Sequence, residues 1–290
     1  MGAADVIPGV SGGTIAFITG IYEELIGSLK SIDFQAIKLL FTGKVKDFWQ
    51  HINGNFLVVL FLGIGTSIVS LARAIHYLLN EHPIMLWGFF FGLIIASAIM
   101  IMRSIEKWNI SSGVSLIVGI VGAYLITILT PATTPETPLF TFSAGMIAIC
   151  AMILPGISGS FLLLMMKQYE RIIEAVKSFD VEIILTFGAG AALGLILFSK
   201  VLSWLFKTYK DITIALLTGI MFGSLNRVWP WKEVVQTRVN SHGKTVPLVE
   251  ENILPTSVVG DAFLWETIFL ALVGFALIYL MERRGKQNTA

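Results

Sequence analysis

Apolar residues in this chain gather into long blocks separated by short polar joints. Blocks at 56–79, 84–102 and 113–130 are each long enough to cross a hydrocarbon layer of roughly 30 Å as a helix. Three more lie at 181–206, 212–228 and 263–281. The joint Asn80-Glu81-His82-Pro83 reads as a turn, and the three prolines within 131–138 make that segment an extended loop. Over 31–50 the pattern changes: Ile32, Phe34, Ile37, Leu40, Phe41, Phe48 and Trp49 interleave with Lys38, Lys44, Lys46 and Asp47. That stretch is amphipathic and basic, suited to lie on a membrane surface rather than to cross it. Shorter apolar runs at 14–29, 139–154 and 161–176 flank two abrupt breaks.

The breaks are copies of one motif. Asp5-Val6-Ile7-Pro8-Gly9-Val10-Ser11-Gly12-Gly13-Thr14 returns as Met152-Ile153-Leu154-Pro155-Gly156-Ile157-Ser158-Gly159-Ser160-Phe161. Both copies run on to Tyr-Glu (Tyr22-Glu23, Tyr169-Glu170), and at an offset of 147 residues 4–33 and 151–180 agree at 11 of 30 positions. This is an internal repeat whose period is half the chain. The later blocks echo it, with Gly88 and Gly92 answered by Gly219 and Gly223, spacing that allows close helix packing. The expected organisation is repeat one over 1–130 and repeat two over 139–281, within a single integral membrane domain. Repeat two has sixteen apolar residues before its Pro-Gly, whereas repeat one has only residues 1–7. The first hairpin therefore reads as truncated, with a native start upstream of Met1 expected; a single half-helix is the alternative.

Composition agrees with a polytopic membrane protein. Of 290 residues, 55% are hydrophobic and 13% charged, against about 25% charged in a soluble domain. Mean hydropathy is +0.81 and net charge +1, which gives no case for nucleic acid. Lys and Arg cluster at 30–55, 103–112, 206–211 and the C-terminal tail, and are missing from 131–138. The positive-inside rule then puts the four basic regions, C-terminus included, in the cytoplasm and 131–138 outside. Lys177–Asp180 must also lie outside, so 139–177 is expected as a re-entrant hairpin with its tip at membrane depth; two full crossings stay open. Equivalent points of the repeats then face opposite sides. The predicted fold is all-α: two inverted-topology repeats, each one re-entrant helical hairpin plus three transmembrane helices, an architecture of secondary transporters.

At each tip, Pro8-Gly9 or Pro155-Gly156 ends an incoming half-helix and a new one starts. Its first amides lack intrahelical partners, and the hydroxyls of Ser11, Thr14, Ser158 and Ser160 lie beside them. Such a terminus takes anions, phosphate among them. The candidate phosphate-binding set is Ser11, Gly12, Gly13, Thr14, Ser158, Gly159 and Ser160, with Arg73 and Lys200 as intramembrane cations. Self-capping by Ser11 and Ser158, and snorkelling of Arg73 and Lys200, are the plain readings of the same residues. Asp5, Glu23 and Glu170 are candidates for coupling or gating. The single cysteine, Cys150, excludes an internal disulfide, and His51, His76, His82 and His242 show no metal spacing, so no cofactor is expected. A small-anion channel or transporter and a lipid-phosphate phosphatase are the alternatives, the second weakened because no histidine adjoins either break.

The run Gly2-Ala-Ala-Asp5-Val-Ile-Pro8-Gly9-Val-Ser11-Gly12-Gly13-Thr14, followed by Gly20-Ile-Tyr22-Glu23, resembles the signature of the bacterial and archaeal PopT family. The resemblance extends over nearly the whole chain, including Leu154-Pro155-Gly156-Ile157-Ser158-Gly159-Ser160. It implies a translocase that returns undecaprenyl phosphate, or another polyprenyl phosphate, from the outer to the inner leaflet of the cytoplasmic membrane for cell-wall synthesis. Its partners would be that lipid and the surrounding membrane lipids, with room for a homo-oligomer and none for nucleic acid.

Overall fold

The computed structural model describes residues 1–2, 11–129, 134–135, 137–239 and 245–288. Helices dominate. After the first break come α1 (Gly12–Ile18) and α2 (Tyr22–Lys30), then two short helices, α3 (Phe34–Phe41) and α4 (Val45–His51). The amphipathic stretch is thus divided: Gly43, at φ 72°, takes a left-handed turn between the two pieces. Phe34 and Phe41 are exposed at 81% and 86%, as suits residues turned toward a membrane surface, whereas Ala36 between them is buried.

Long helices α5 (Gly54–Glu81), α6 (Pro83–Met102) and α7 (Ile110–Thr127) complete the first half. The second half starts with α8 (Pro138–Ile153), α9 (Gly159–Met165) and α10 (Tyr169–Ser178), followed by α11 (Val181–Thr208) and α12 (Lys210–Ser224). Strands β1 (Lys232–Val239) and β2 (Thr245–Asn252) and the long α13 (Leu264–Asn288) close the chain. α5 and α11 are each 28 residues long, and each joins its successor through one residue of nearly the same conformation, His82 (φ −135°, ψ 49°) and Tyr209 (φ −134°, ψ 50°).

Helix pairing crosses between the halves. α6 packs on α13, and α12 packs on α7. Both contacts depend on glycine: a Cβ at Gly92 would strike the Ala271 backbone, and one at Gly219 would strike that of Leu116. Backbone approach of this kind replaces the hydrophobic drive that lipid cannot supply between helices. α11 packs on α8 and on α2. The core, with Ile26, Ile94, Leu217, Met221 and Ile278 almost fully buried, lies where α2, α6, α12 and α13 meet. Apolar residues such as Val59, Leu62 and Val69 on α5 and Phe269 and Leu272 on α13 are exposed, as a lipid-facing surface requires.

One expectation needs correction. Among the described residues five helices, not six, are long and apolar enough to span a membrane. The block at 212–228 gives only the 15-residue α12, about 22 Å of helix against roughly 30 Å of hydrocarbon. Its end comes at Ser224, whose hydroxyl bonds back to the Met221 carbonyl at 2.8 Å before turns take over. The chain is mostly helical, as expected of a polytopic membrane protein, with one β-hairpin added. β1 and β2 pair antiparallel, Lys232 with Asn252 and Val239 with Thr245, with an irregular register around Gln236. The β-branched run Val234-Val235 and the pair Thr245-Val246 favour strands, but they sit in a segment polar enough to read as loop.

Candidate functional site

The second break is built by local rules. Pro155 disfavours helix at Leu154, which turns extended (φ −65°, ψ 130°), and α8 stops at Ile153. Gly156 follows at φ 89°, a conformation that suits glycine. A side chain there would also meet Ser224 Oγ at 2.8 Å and Met221 Cα at 3.1 Å. Ser158 is extended (φ −103°, ψ 129°) and α9 starts at Gly159, without a side-chain cap from Ser158.

The start of α1 is docked onto this break. Ser11 accepts from the Gly13 amide at 3.1 Å, capping α1, and its hydroxyl donates to the Met152 carbonyl at 3.1 Å. The Tyr22 hydroxyl donates to the Ile153 carbonyl at 3.2 Å, and the Gly156 amide donates to Thr14 Oγ1 at 3.0 Å. The carbonyls that end α8 have no intrahelical donors, and residues of the other copy supply them. Ser11 is 2% exposed and Thr14 fully buried. Gly13 allows the approach, because a Cβ there would lie 2.5 Å from the Ile153 oxygen. The repeated motifs thus form one joint, 141 to 142 residues apart in sequence.

Beside the joint lies a cavity of about 230 Å³. Ser11, Ser158, Gly159 and Ser160 line one side; Ala148, Ile149, Met152, Ile157, Leu163 and Phe187 make the rest apolar. The Ser158 and Ser160 hydroxyls are 2.8 Å apart and half-buried. The structure therefore brings together Ser11, Gly13, Thr14, Ser158, Gly159 and Ser160, with Gly12 in the same first turn of α1 and Pro155 and Gly156 buried beside them. Arg73 and Lys200 are elsewhere, exposed on α5 and α11. Glu23, at the head of α2, lines a groove of about 270 Å³ with Lys30, Ser203 and Lys207, and Lys30 Nζ donates to Ser203 Oγ at 3.4 Å. Glu170 is exposed at the head of α10. Asp5, Pro8 and Gly9 lie outside the described residues.

A second, larger cavity of about 400 Å³ holds charges that the sequence reading passed over. Its walls include Tyr124 and Thr127 of α7, Phe161 of α9, Arg227 after α12, Lys232 of β1 and Glu250 of β2. Arg227 Nη1 lies 3.2 Å and Lys232 Nζ 3.7 Å from the same Glu250 oxygen. Lys232 Nζ also donates to the Arg227 carbonyl at 2.7 Å. Each cation faces a ring: Arg227 stands 4.9 Å from the Phe161 centroid and Lys232 4.3 Å from that of Trp87. A small cleft lined by Gly156, Ser158, Phe161 and Arg227 adjoins the second break. The sequence signal is thin: Arg227 stands at the end of the apolar block at 212–228, just before Trp229-Pro230-Trp231, an interfacial pattern.

Burial pushes the Lys232 ammonium down to about 8, with Arg227 adding to the depression and Glu250 opposing it. Burial likewise lowers Arg227, against the pull of Glu250. For Lys232 the unfolded chain holds its proton at pH values where the folded chain has lost it. Stability therefore rises as pH climbs from about 8 toward 10.5, and the deficit is fully present below the folded value. The expected gain between pH 7.5 and pH 9.5, on the order of 2 kcal/mol, is checked by thermal unfolding in detergent at those two values. Lys232→Met should flatten that dependence.

A family model described as undecaprenyl phosphate translocase-like matches residues 1–246. A protein of Vibrio cholerae serotype O1 named polyprenyl-phosphate transporter is 50% identical over 291 residues, covering 99% of this chain and 94% of that one. A Staphylococcus aureus protein of the same name is 34% identical over 249 residues, covering 79% and 83%. No solved structure matches the chain significantly.

Proposed function

The chain belongs to the undecaprenyl phosphate translocase-like family, and from that premise we propose that it carries a polyprenyl phosphate from the outer to the inner leaflet by alternating access between two inverted repeats. It is a membrane transporter, not an enzyme. The observation that carries the mechanism is the joint between the start of α1 and the second Pro-Gly break, with the Ser158 and Ser160 hydroxyls beside a cavity whose other walls are mostly apolar. A polyprenyl phosphate needs both kinds of surface. Its phosphate must find donors away from water, since each unpaired polar group there costs several kcal/mol. Its isoprenoid tail needs only apolar contact and stays in lipid.

A two-fold relation between the halves is supported by the exchange of partners. α6 and α12 follow the two equal 28-residue helices, and each packs on the last helix of the opposite half. A two-fold axis in the membrane plane would relate two such pairs. The basic regions at 30–55, 103–112 and 206–211 then face the cytoplasm, and the β1–β2 hairpin lies outside. In this arrangement the joint is the pivot, and rocking one half against the other opens the cavity to alternate leaflets.

Two measurements test the reading. Vesicles holding the purified protein and undecaprenyl phosphate should expose their inner-leaflet lipid to an added impermeant phosphatase, whereas protein-free vesicles should protect it; equal protection refutes translocation. Ser31 and Ser178 occupy equivalent points of the repeats. In a Cys150→Ser background, Ser178→Cys should react with an impermeant maleimide on intact cells and Ser31→Cys only after permeabilisation. Labelling from one side for both would remove the inversion.

A further inference from the structure

We propose that Arg227, Lys232 and Glu250 form the receiving site for a phosphate-monoester head group on the β-hairpin side of the protein, with Glu250 as an internal counter-ion that the head group displaces. The inference rests on the translocase reading and deepens it by separating where the head group is taken up from where it crosses.

Two cations share one carboxylate here, so the cluster carries one positive charge in excess. Burying charge is costly unless it is paired and fully hydrogen-bonded. The pairing is incomplete, because Arg227 Nε is buried and has no hydrogen-bond partner among the described residues. Lys232, its side chain only 7% exposed, is held by the Arg227 carbonyl and the Trp87 ring as well as by Glu250. The Phe161 ring supports Arg227 in the same way. Both cations thus keep their positions when the carboxylate leaves, which a plain structural ion pair would not require. The adjoining cavity of about 400 Å³ provides the room.

A phosphate monoester offers three terminal oxygens and up to two negative charges, where the carboxylate offers two oxygens and one charge. Arginine binds such a group through two parallel N–H bonds, and lysine adds a point charge. The exchange therefore satisfies the free Nε–H and neutralises the remaining charge. Glu250 sits on β2, which is tied to the end of α12 by Asn252 Nδ2 donating to the Asn226 carbonyl at 2.8 Å. A displaced Glu250 keeps its strand in place and can return to the cations once the head group has left. Arg227 stacks on Phe161, the residue after Ser160, so the head group has a short path to the serines of the second break.

The discriminating variant is Glu250→Gln, which keeps shape and removes the competing charge. Binding of undecaprenyl phosphate to the full-length protein in lipid nanodiscs is expected to tighten roughly tenfold for Glu250→Gln and to weaken roughly tenfold for Arg227→Gln. Arg227→Lys, which preserves charge, should recover part of the loss and guards against a folding defect. A merely structural ion pair would move the Gln variants in the same direction, toward weaker binding. Glu250→Gln that binds as wild type or more weakly, in a wild-type background that still translocates, overturns the counter-ion and leaves the carrier. Wild-type protein that binds no undecaprenyl phosphate overturns both. Inorganic phosphate at the same concentration should compete poorly; competition as strong as the lipid's would make free phosphate the occupant and overturn the lipid assignment.

Discussion

A Gly13→Ala chain inserts into the membrane and loses translocation of polyprenyl phosphate: that is the expected result, and it follows from one distance. The added Cβ would stand 2.5 Å from the Ile153 oxygen and 3.1 Å from Ser11 Oγ. Neither neighbour is the free end of a flexible side chain; one is the backbone that ends α8, the other the cap of α1. The first turn of α1 must therefore move off the second break. With it go the Ser11 bond to Met152 and the Thr14 bond from the Gly156 amide. Each buried group left without a partner costs about 1–3 kcal/mol, so the joint as a whole opens. Gly122, on α7, is the control, since a Cβ there meets nothing within 4 Å. Gly122→Ala should accumulate and translocate as wild type. The phosphatase-accessibility measurement reads both, and a Gly13→Ala protein with wild-type rates would mean that contact between the breaks is not needed for transport.

Much of this joint is visible in the sequence, because proline and glycine act locally. α1 starts at Gly12 and α9 at Gly159, the positions that the two copies of the motif predict for new helices. The long blocks became α5, α6, α7, α11 and α13 for a similar reason: length and hydropathy suffice to make a span. The block at 212–228 shows the limit. Hydropathy does not register that a backbone turns at Ser224 and lets the chain run on through Asn226 and Arg227. The face of a helix that a charge occupies is also tertiary information. Arg73 and Lys200 lie within apolar blocks yet are exposed, whereas Arg227 and Lys232 are covered because the hairpin folds Glu250 back onto them. Eighteen residues separate Lys232 from Glu250, and no local pattern announces that return.

The two copies of the motif should fail differently when their hydroxyls are removed. Ser158→Ala with Ser160→Ala takes away two half-buried hydroxyls that bond each other at 2.8 Å and face the cavity. Ser158 makes no side-chain cap to α9, so no buried backbone amide loses a partner. Stability in detergent is expected to stay within about 0.5 kcal/mol of wild type. Translocation should fall by about a hundredfold if both hydroxyls bond the phosphate, since a hydrogen bond to a charged group contributes about 1.5–3 kcal/mol. Ser11→Ala should act first on stability: it removes the cap of α1 and the donor to Met152 together, lowering stability by about 1–3 kcal/mol. Thermal unfolding and the leaflet measurement, run on both variants, separate the roles. A double Ser158/Ser160 variant that translocates at the wild-type rate would take the head group's path away from the second break and leave its serines as packing.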